Sequence, residues 1–170
     1  MESSRAAIVA CSRIDLSGYA TDRDLGNAAH YFYNEGRGEI LSWLEFAENP
    51  EAASSLFDPP PSLQNVEVFT FKIDRDGPAA ELTIALNEYP SSPPLKWRTQ
   101  QANAVTMTLQ LLALGDVEVK GWSTTNRAEM QIARVNAEQL EIVAKGTNFT
   151  IRATFGFLRI IGFSPYHYSA

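Results

Sequence analysis

The residues able to do chemistry are few in this chain, and their spacing suits almost no reaction. His30 and His167 lie near opposite ends, and Cys11 is the lone cysteine. Together they fall short of the nitrogen and sulfur ligands that a zinc site takes. A serine or cysteine nucleophile needs a positioned base, and no Gly-x-Ser-x-Gly elbow is present. Gly36-Arg37-Gly38 does not extend into a dinucleotide fingerprint and follows no strand pattern. Asp74-Arg75-Asp76-Gly77 opens like a calcium loop but has no glutamate at its twelfth position. It stands where a hairpin turn is expected. Asn148-Phe149-Thr150 is a formal glycosylation sequon. No cofactor or metal is expected. The chain reads as a non-enzyme unless folding gathers scattered acids into a buried pair.

What remains is charge and aromatic surface. The formal net charge is -6. Gripping nucleic acid requires clustered Lys and Arg against phosphates, so that function is not expected. An acidic surface does speed encounter with a basic protein. The surplus is concentrated: Glu39, Glu45, Glu48, Glu51 and Asp58 occupy a stretch without Lys or Arg. Such residues serve either as a solvated face or as a docking face for a basic partner. Trp43, Trp97 and Trp122, with Tyr89, Tyr166 and Tyr168, are core residues or binding anchors. Trp43 shares an apolar helical stripe and belongs with the core on that pattern.

Two regions carry these residues. Residues 1–38 lack sustained periodicity and read as an N-terminal extension, with a short helix around Asp24 to Tyr33. From 39 to 170 the chain reads as one domain. Ile40, Leu41, Trp43, Leu44 and Ala47 recur at helical spacing. Asn49-Pro50-Glu51 restarts a second short helix to about Phe57, which Pro59-Pro60-Pro61 ends. The period then becomes two. Val66 and Val68 alternate, and Phe69, Phe71 and Ile73 continue on the opposite parity, which predicts a bulge at Val68-Phe69. Further strands hold Leu82, Ile84 and Leu86; Val105 to Leu111; Val117 and Val119; Met130 and Ile132; Leu140 and Ile142; and Phe149 through Phe157. The fold class is mainly β: an antiparallel meander of about seven strands. It should curl into a sandwich or half-barrel, with two short helices before the sheet.

At 170 residues one domain can bury a full core without disulfides. A single cysteine suits a reducing compartment. Ala6 to Cys11 looks a little like a lipoprotein processing site, but its apolar run is shorter than a signal-peptide core. A cytoplasmic location without membrane association is the expectation.

The order of features from Leu41 onward resembles the immunity protein 50 family of bacterial polymorphic toxin systems. The matching pieces include Trp43-Leu44, Asn49-Pro50, Leu56-Phe57 with Pro59-Pro60, and Arg75-Asp76-Gly77-Pro78. After them come Pro93-Pro94-Leu95-Lys96-Trp97, Asn103-Ala104-Val105, Gly121-Trp122-Ser123-Thr124 and the aromatic ending to Tyr166. The resemblance covers roughly Glu39 to Tyr168. It implies a cytoplasmic protein that protects its own cell by binding a cognate toxin, with no catalytic activity and no cofactor. The candidate toxin contacts are Glu45, Glu48, Glu51 and Asp58, with Trp97 and Trp122 as anchors. The alternative is a β-sandwich module binding a small apolar or carbohydrate ligand, signalled by a cavity lined with Phe69, Phe71 and Trp122.

Overall fold

The computed structural model describes residues 31–34 and 39–168, with side chains from Ser42 onward. Strand formation follows the alternation of side chains. In β5 (Ala104–Leu112), Val105, Met107, Leu109 and Leu111 are fully buried while Thr106, Thr108 and Gln110 point outward. In β7 (Arg127–Arg134), Ala128, Met130 and Ile132 go inward between exposed Arg127, Glu129 and Gln131. Each fully buried Leu or Ile contributes about 1.5–3 kcal/mol of transfer free energy, so the inner face sets the register.

The other strands are β3 (Val66–Asp74), β4 (Ala79–Ala85), β6 (Val117–Lys120), β8 (Leu140–Lys145), β9 (Thr150–Phe155) and β10 (Phe157–Tyr166). With β5 and β7 they form one unclosed antiparallel sheet of eight strands in the order β10-β5-β4-β3-β7-β8-β9-β6. Sequence neighbours pair within β3-β4-β5 and within β7-β8-β9, through short turns except between β4 and β5, where residues 86–103 make a longer connection. β6 crosses to the far side of β9, and β10 to the far side of β5.

The two halves of the sheet meet at a narrow seam, where β3 and β7 pair only at Val66↔Ala128 and Glu67↔Arg127. Inner-face residues of both halves, Leu82 and Leu109 with Met130, Ile142 and Phe155, join in one core cluster. The sheet therefore curls over itself instead of lying flat. The predicted bulge is present as a register shift between Val68 and Thr70. The Asp74–Pro78 turn is a hairpin connection: Asp74 Oδ1 accepts the Asp76 N–H at 3.0 Å, and Gly77 takes φ +82°.

The stretch read as one strand from Phe149 to Phe157 is two. Phe155 and Leu158 are buried whereas Phe157 is 55% exposed, so alternation slips by one residue across Gly156. The Gly156 N–H donates to Leu112 O at 2.9 Å, which hands the chain from β9 to the other half of the sheet.

The segment before the sheet also differs in detail. Glu39–Ser42 is strand β2, paired antiparallel with β1 (Tyr31–Asn34), where helical spacing pointed to a helix. Ser42 ends it, because its Oγ accepts the Leu44 N–H at 3.3 Å and starts a 3-10 turn over Trp43–Phe46. That turn and α1 (Glu51–Ser54) are the two short helical pieces ahead of the sheet. The helix expected around Asp24 to Tyr33 lies mostly outside the described residues, and its last three positions belong to β1. A further helix, α2 (Leu95–Thr99), follows Pro93-Pro94. Trp43 is core, and its Nε1–H donates to the buried Pro61 carbonyl at 2.9 Å.

Candidate functional site: an acidic segment and an aromatic depression

Three asparagine side chains build the surface features of this protein by acting as pieces of backbone. Asn49 Nδ2 donates to Ile160 O at 2.8 Å, while the Ile160 N–H donates to Asn49 Oδ1 at 2.9 Å. Asn103 does the same for Tyr168, donating to its carbonyl at 3.0 Å and accepting its N–H at 2.7 Å. Asn126, only 3% exposed, brackets Ser123 with two bonds of 2.8 Å. Each pair satisfies one donor and one acceptor where no strand is available to do so.

The Asn49 bracket holds the acidic segment. Ala47 forms a parallel bridge with Leu158, and the Glu48 N–H donates to Leu158 O at 2.8 Å. Residues 47–49 thus cover the outer edge of β10, an edge that would otherwise present unpaired backbone groups. Glu45, Glu48, Glu51 and Asp58 are all exposed on this mounted segment. Arg159 reaches Glu48 at 3.9 Å, a solvent-screened contact worth about 0–1 kcal/mol. Glu45, Glu51 and Asp58 make no ion pair among the described residues. Residues 66–168 hold ten acidic and ten basic side chains, so the surplus negative charge of the sheet domain sits in the segment before it.

The tryptophan candidates separate. Trp97 is 8% exposed and packs in the core with its ring 6.3 Å from that of Tyr89. Trp122 is 48% exposed and stands edge-on to Phe149 at 5.5 Å. Gly121 makes that posture possible: its φ is +70°, and a Cβ there would fall 1.6 Å from Asn148 O. The Asn126 bracket then fixes the loop after Trp122.

Trp122 and Phe69 line an open depression of about 600 Å³ together with Glu67, Val68, Ser123 and Asn126. Phe71, expected beside them, packs against the core instead. Phe69 meets Tyr166 edge-on at 5.9 Å. Across Glu67 lies a smaller recess bounded by Tyr89, Tyr166 and Tyr168. Glu67 is 3.8 Å from Arg127 across the seam. Burial, and then the neighbouring Glu67 charge, push the Tyr166 hydroxyl above its ordinary pKa. Both signs of charge and five aromatic rings therefore meet at the junction of the two half-sheets.

Alternation alone did not reveal this junction. Tyr166 and Tyr168 stood out as candidate anchors, but Glu67 and Arg127 are 60 positions apart and face each other only through the β3–β7 register. Among the described residues, no group of three His, Cys, Asp or Glu side chains is placed to hold a metal ion. No helix there is long and apolar enough to cross a membrane.

The fold and surface define a class: an antiparallel β protein whose distinctive side chains are displayed outward around a rigid sheet. A family model described as Immunity protein 50 matches residues 49–166, from the Asn49 bracket to the end of β10. The chain belongs to the immunity protein 50 family. No curated protein and no solved structure matches it.

Proposed function

We propose that this protein is an immunity protein that binds a cognate toxin domain in the cytoplasm and neutralises it by covering its active surface. The observation that carries the reading is the segregation of charge. Glu45, Glu48, Glu51 and Asp58 stand exposed on a segment clamped to β10, and the sheet behind them is charge-balanced. A concentrated acidic face draws in a basic partner, a nuclease being one such class, and raises the association rate. A sheet-mounted face also loses little entropy on docking. Trp122 supplies a half-exposed anchor of the kind enriched at binding hot spots. The protein contributes no chemistry of its own in this mechanism; inhibition is steric and electrostatic.

The test is co-expression with the toxic domain encoded beside it, scoring growth rescue and co-purification, followed by alanine at all four acids. The expected result is rescue by the native chain and at least about tenfold weaker binding by the quadruple variant, mostly through slower association. Affinity unchanged within about twofold ends the acidic-face mechanism.

A small-ligand reading draws on the depression between Phe69 and Trp122, whose volume of about 600 Å³ lies within the usual range for ligand sites. It predicts saturable quenching of Trp122 fluorescence by a sugar or apolar probe in the absence of any toxin.

A further inference from the structure

Strand β3 is open along one side for most of its length. β7 pairs with it only at Val66 and Glu67, and the Val68 N–H then donates to Asn126 O at 2.9 Å. Among the described residues no strand pairs with that side from Phe69 to Asp74, while β4 holds the other side. The ladder fixes where the free backbone groups point. Just past β4, the Leu86 N–H donates to Val105 O, so Leu82 and Ala80, two and three pairs further on, also turn their backbone groups towards β5. Thr83, Glu81 and Ala79 turn theirs towards β3, where they face Thr70, Lys72 and Asp74. Phe71 and Ile73 alternate with these and aim their N–H and C=O groups out of the open side. The inner face is incomplete at the same place. Ile73, Ala80, Leu111 and Leu158 form one rank across four strands. The last three are at most 1% exposed, whereas Ile73 is 54% exposed. An open edge with an uncovered apolar residue is a template for another strand.

We infer that this edge pairs with the same edge of a second copy of the chain, antiparallel about a two-fold axis at Ile73. Charge selects both the occupant and the register. In this register Ile73 lies opposite the partner's Ile73, Lys72 opposite the partner's Asp74, and Asp74 opposite the partner's Lys72. Two pairs of opposite charge form across the axis. Ile73 is also one of the residues whose backbone groups point outward, so the two copies exchange both hydrogen bonds there. Neighbouring registers do less. Centring on Lys72 sets two lysines against each other, and centring on Phe71 sets Lys72 against Thr70. Both charged side chains are exposed. Lys72 reaches Glu81 only at 3.9 Å, and Asp74 makes no ion pair among the described residues. A contact that uses the same patch on both copies closes as a dimer and leaves no β3 edge for a third chain. β6, also open on one side, is four residues long, and its Glu118 and Lys120 already pair with each other. The β3 overlap runs only from Phe71 to Arg75 of each chain. An interface that short belongs with the small, transient class, and a dissociation constant of about 10–100 µM follows. None of this depends on the immunity reading.

The test is sedimentation velocity on the full chain from about 5 to 500 µM, a range that brackets the expected constant. Amide exchange of the β3 peptide, read by mass spectrometry, accompanies it at both ends of the range. The expected result is a sedimentation coefficient that climbs towards the dimer value, with exchange in β3 about threefold or more slower at the high end. Lys72→Asp and Asp74→Lys, made separately, each set like charges across the axis and should weaken self-association at least tenfold. An equimolar mixture of these two variants should associate again, within about threefold of the native affinity, because each supplies the charges the other lacks. That rescue excludes misfolding as the cause of the single losses. A native chain that stays monomeric at the highest concentration overturns the proposal. So do single variants that still self-associate, or a mixture that does not. Equal protection of β3 at every concentration overturns it as well, since the edge is then covered within one chain.

Discussion

Replacing Asn49 by alanine removes two hydrogen bonds at once and leaves both backbone groups of Ile160 without their partners. Ile160 is 2% exposed, so water reaches its N–H and C=O poorly. A net hydrogen bond contributes about 0.5–1.5 kcal/mol, and a buried group left unsatisfied costs about 1–3 kcal/mol. Asn49 is only partly buried, so some solvent enters the gap, and the expected loss is about 2–3 kcal/mol for the pair of bonds. With a slope of about 1–3 kcal/mol per molar urea, the unfolding midpoint should fall by about 1–2 M at unchanged slope. Hydrogen exchange at the Ile160 amide should rise along with it. Asn49→Asp is the informative companion. It can still accept the Ile160 N–H, but at neutral pH it turns a second oxygen towards the Ile160 carbonyl, and should recover no more than half of the loss. A loss below about 0.5 kcal/mol for Asn49→Ala, or full stability in Asn49→Leu, would show that packing and not the paired bonds holds the segment on β10.

Other expectations follow from single residues. Gly121→Ala places a Cβ 1.6 Å from Asn148 O at a φ of +70°. It should cost at least about 2 kcal/mol by thermal melting and alter Trp122 emission, since the loop must shift. On alkaline titration followed by absorbance, Tyr166 should ionise above the ordinary tyrosine range, because burial and then Glu67 disfavour its charged form. A raised folded-state pKa gives stability that is present below the unfolded value and lost as pH rises through the folded one, so Glu67→Gln should shift that loss to lower pH. Lys120, by hydrogen bond and then by charge, holds the Glu118 carboxyl below its ordinary pKa. The stability linked to Glu118 is present above the unfolded pKa and lost as pH falls through the lowered one. Lys120→Gln should return the Glu118 midpoint towards its usual range by NMR, with almost no change in melting temperature because the pair is exposed.

The sheet was legible where one face is buried and the other wet. β5 and β7 announce themselves by strict alternation, and the Val68-Phe69 parity change marked its bulge correctly. Alternation failed where two elements share one period. The run from Thr150 to Phe157 conceals a slip at Gly156, visible only when Phe157 turns outward. Ile40 and Leu41 fit a helical stripe as well as a strand, and pairing with β1 decided for the strand. The acidic segment was legible from composition, because like charges without counterions stand out in any register. The tyrosine recess was not, since its walls come from β3, β10 and the loops around β4 and β5, and only the register assembles them. In sequence Asn49 reads as the start of a helix, and the role of Asn49, Asn103 and Asn126 as backbone mimics depends on partners up to 111 positions away.

That long reach sets an order of events during synthesis. The acidic segment leaves the ribosome early, yet its mount is β10, the last of these strands to emerge. A nascent chain stopped short of Ile160 carries the charges without the strand that displays them. Backbone support for that segment therefore comes late in synthesis, once β10 is available to pair with β5 and to meet Asn49.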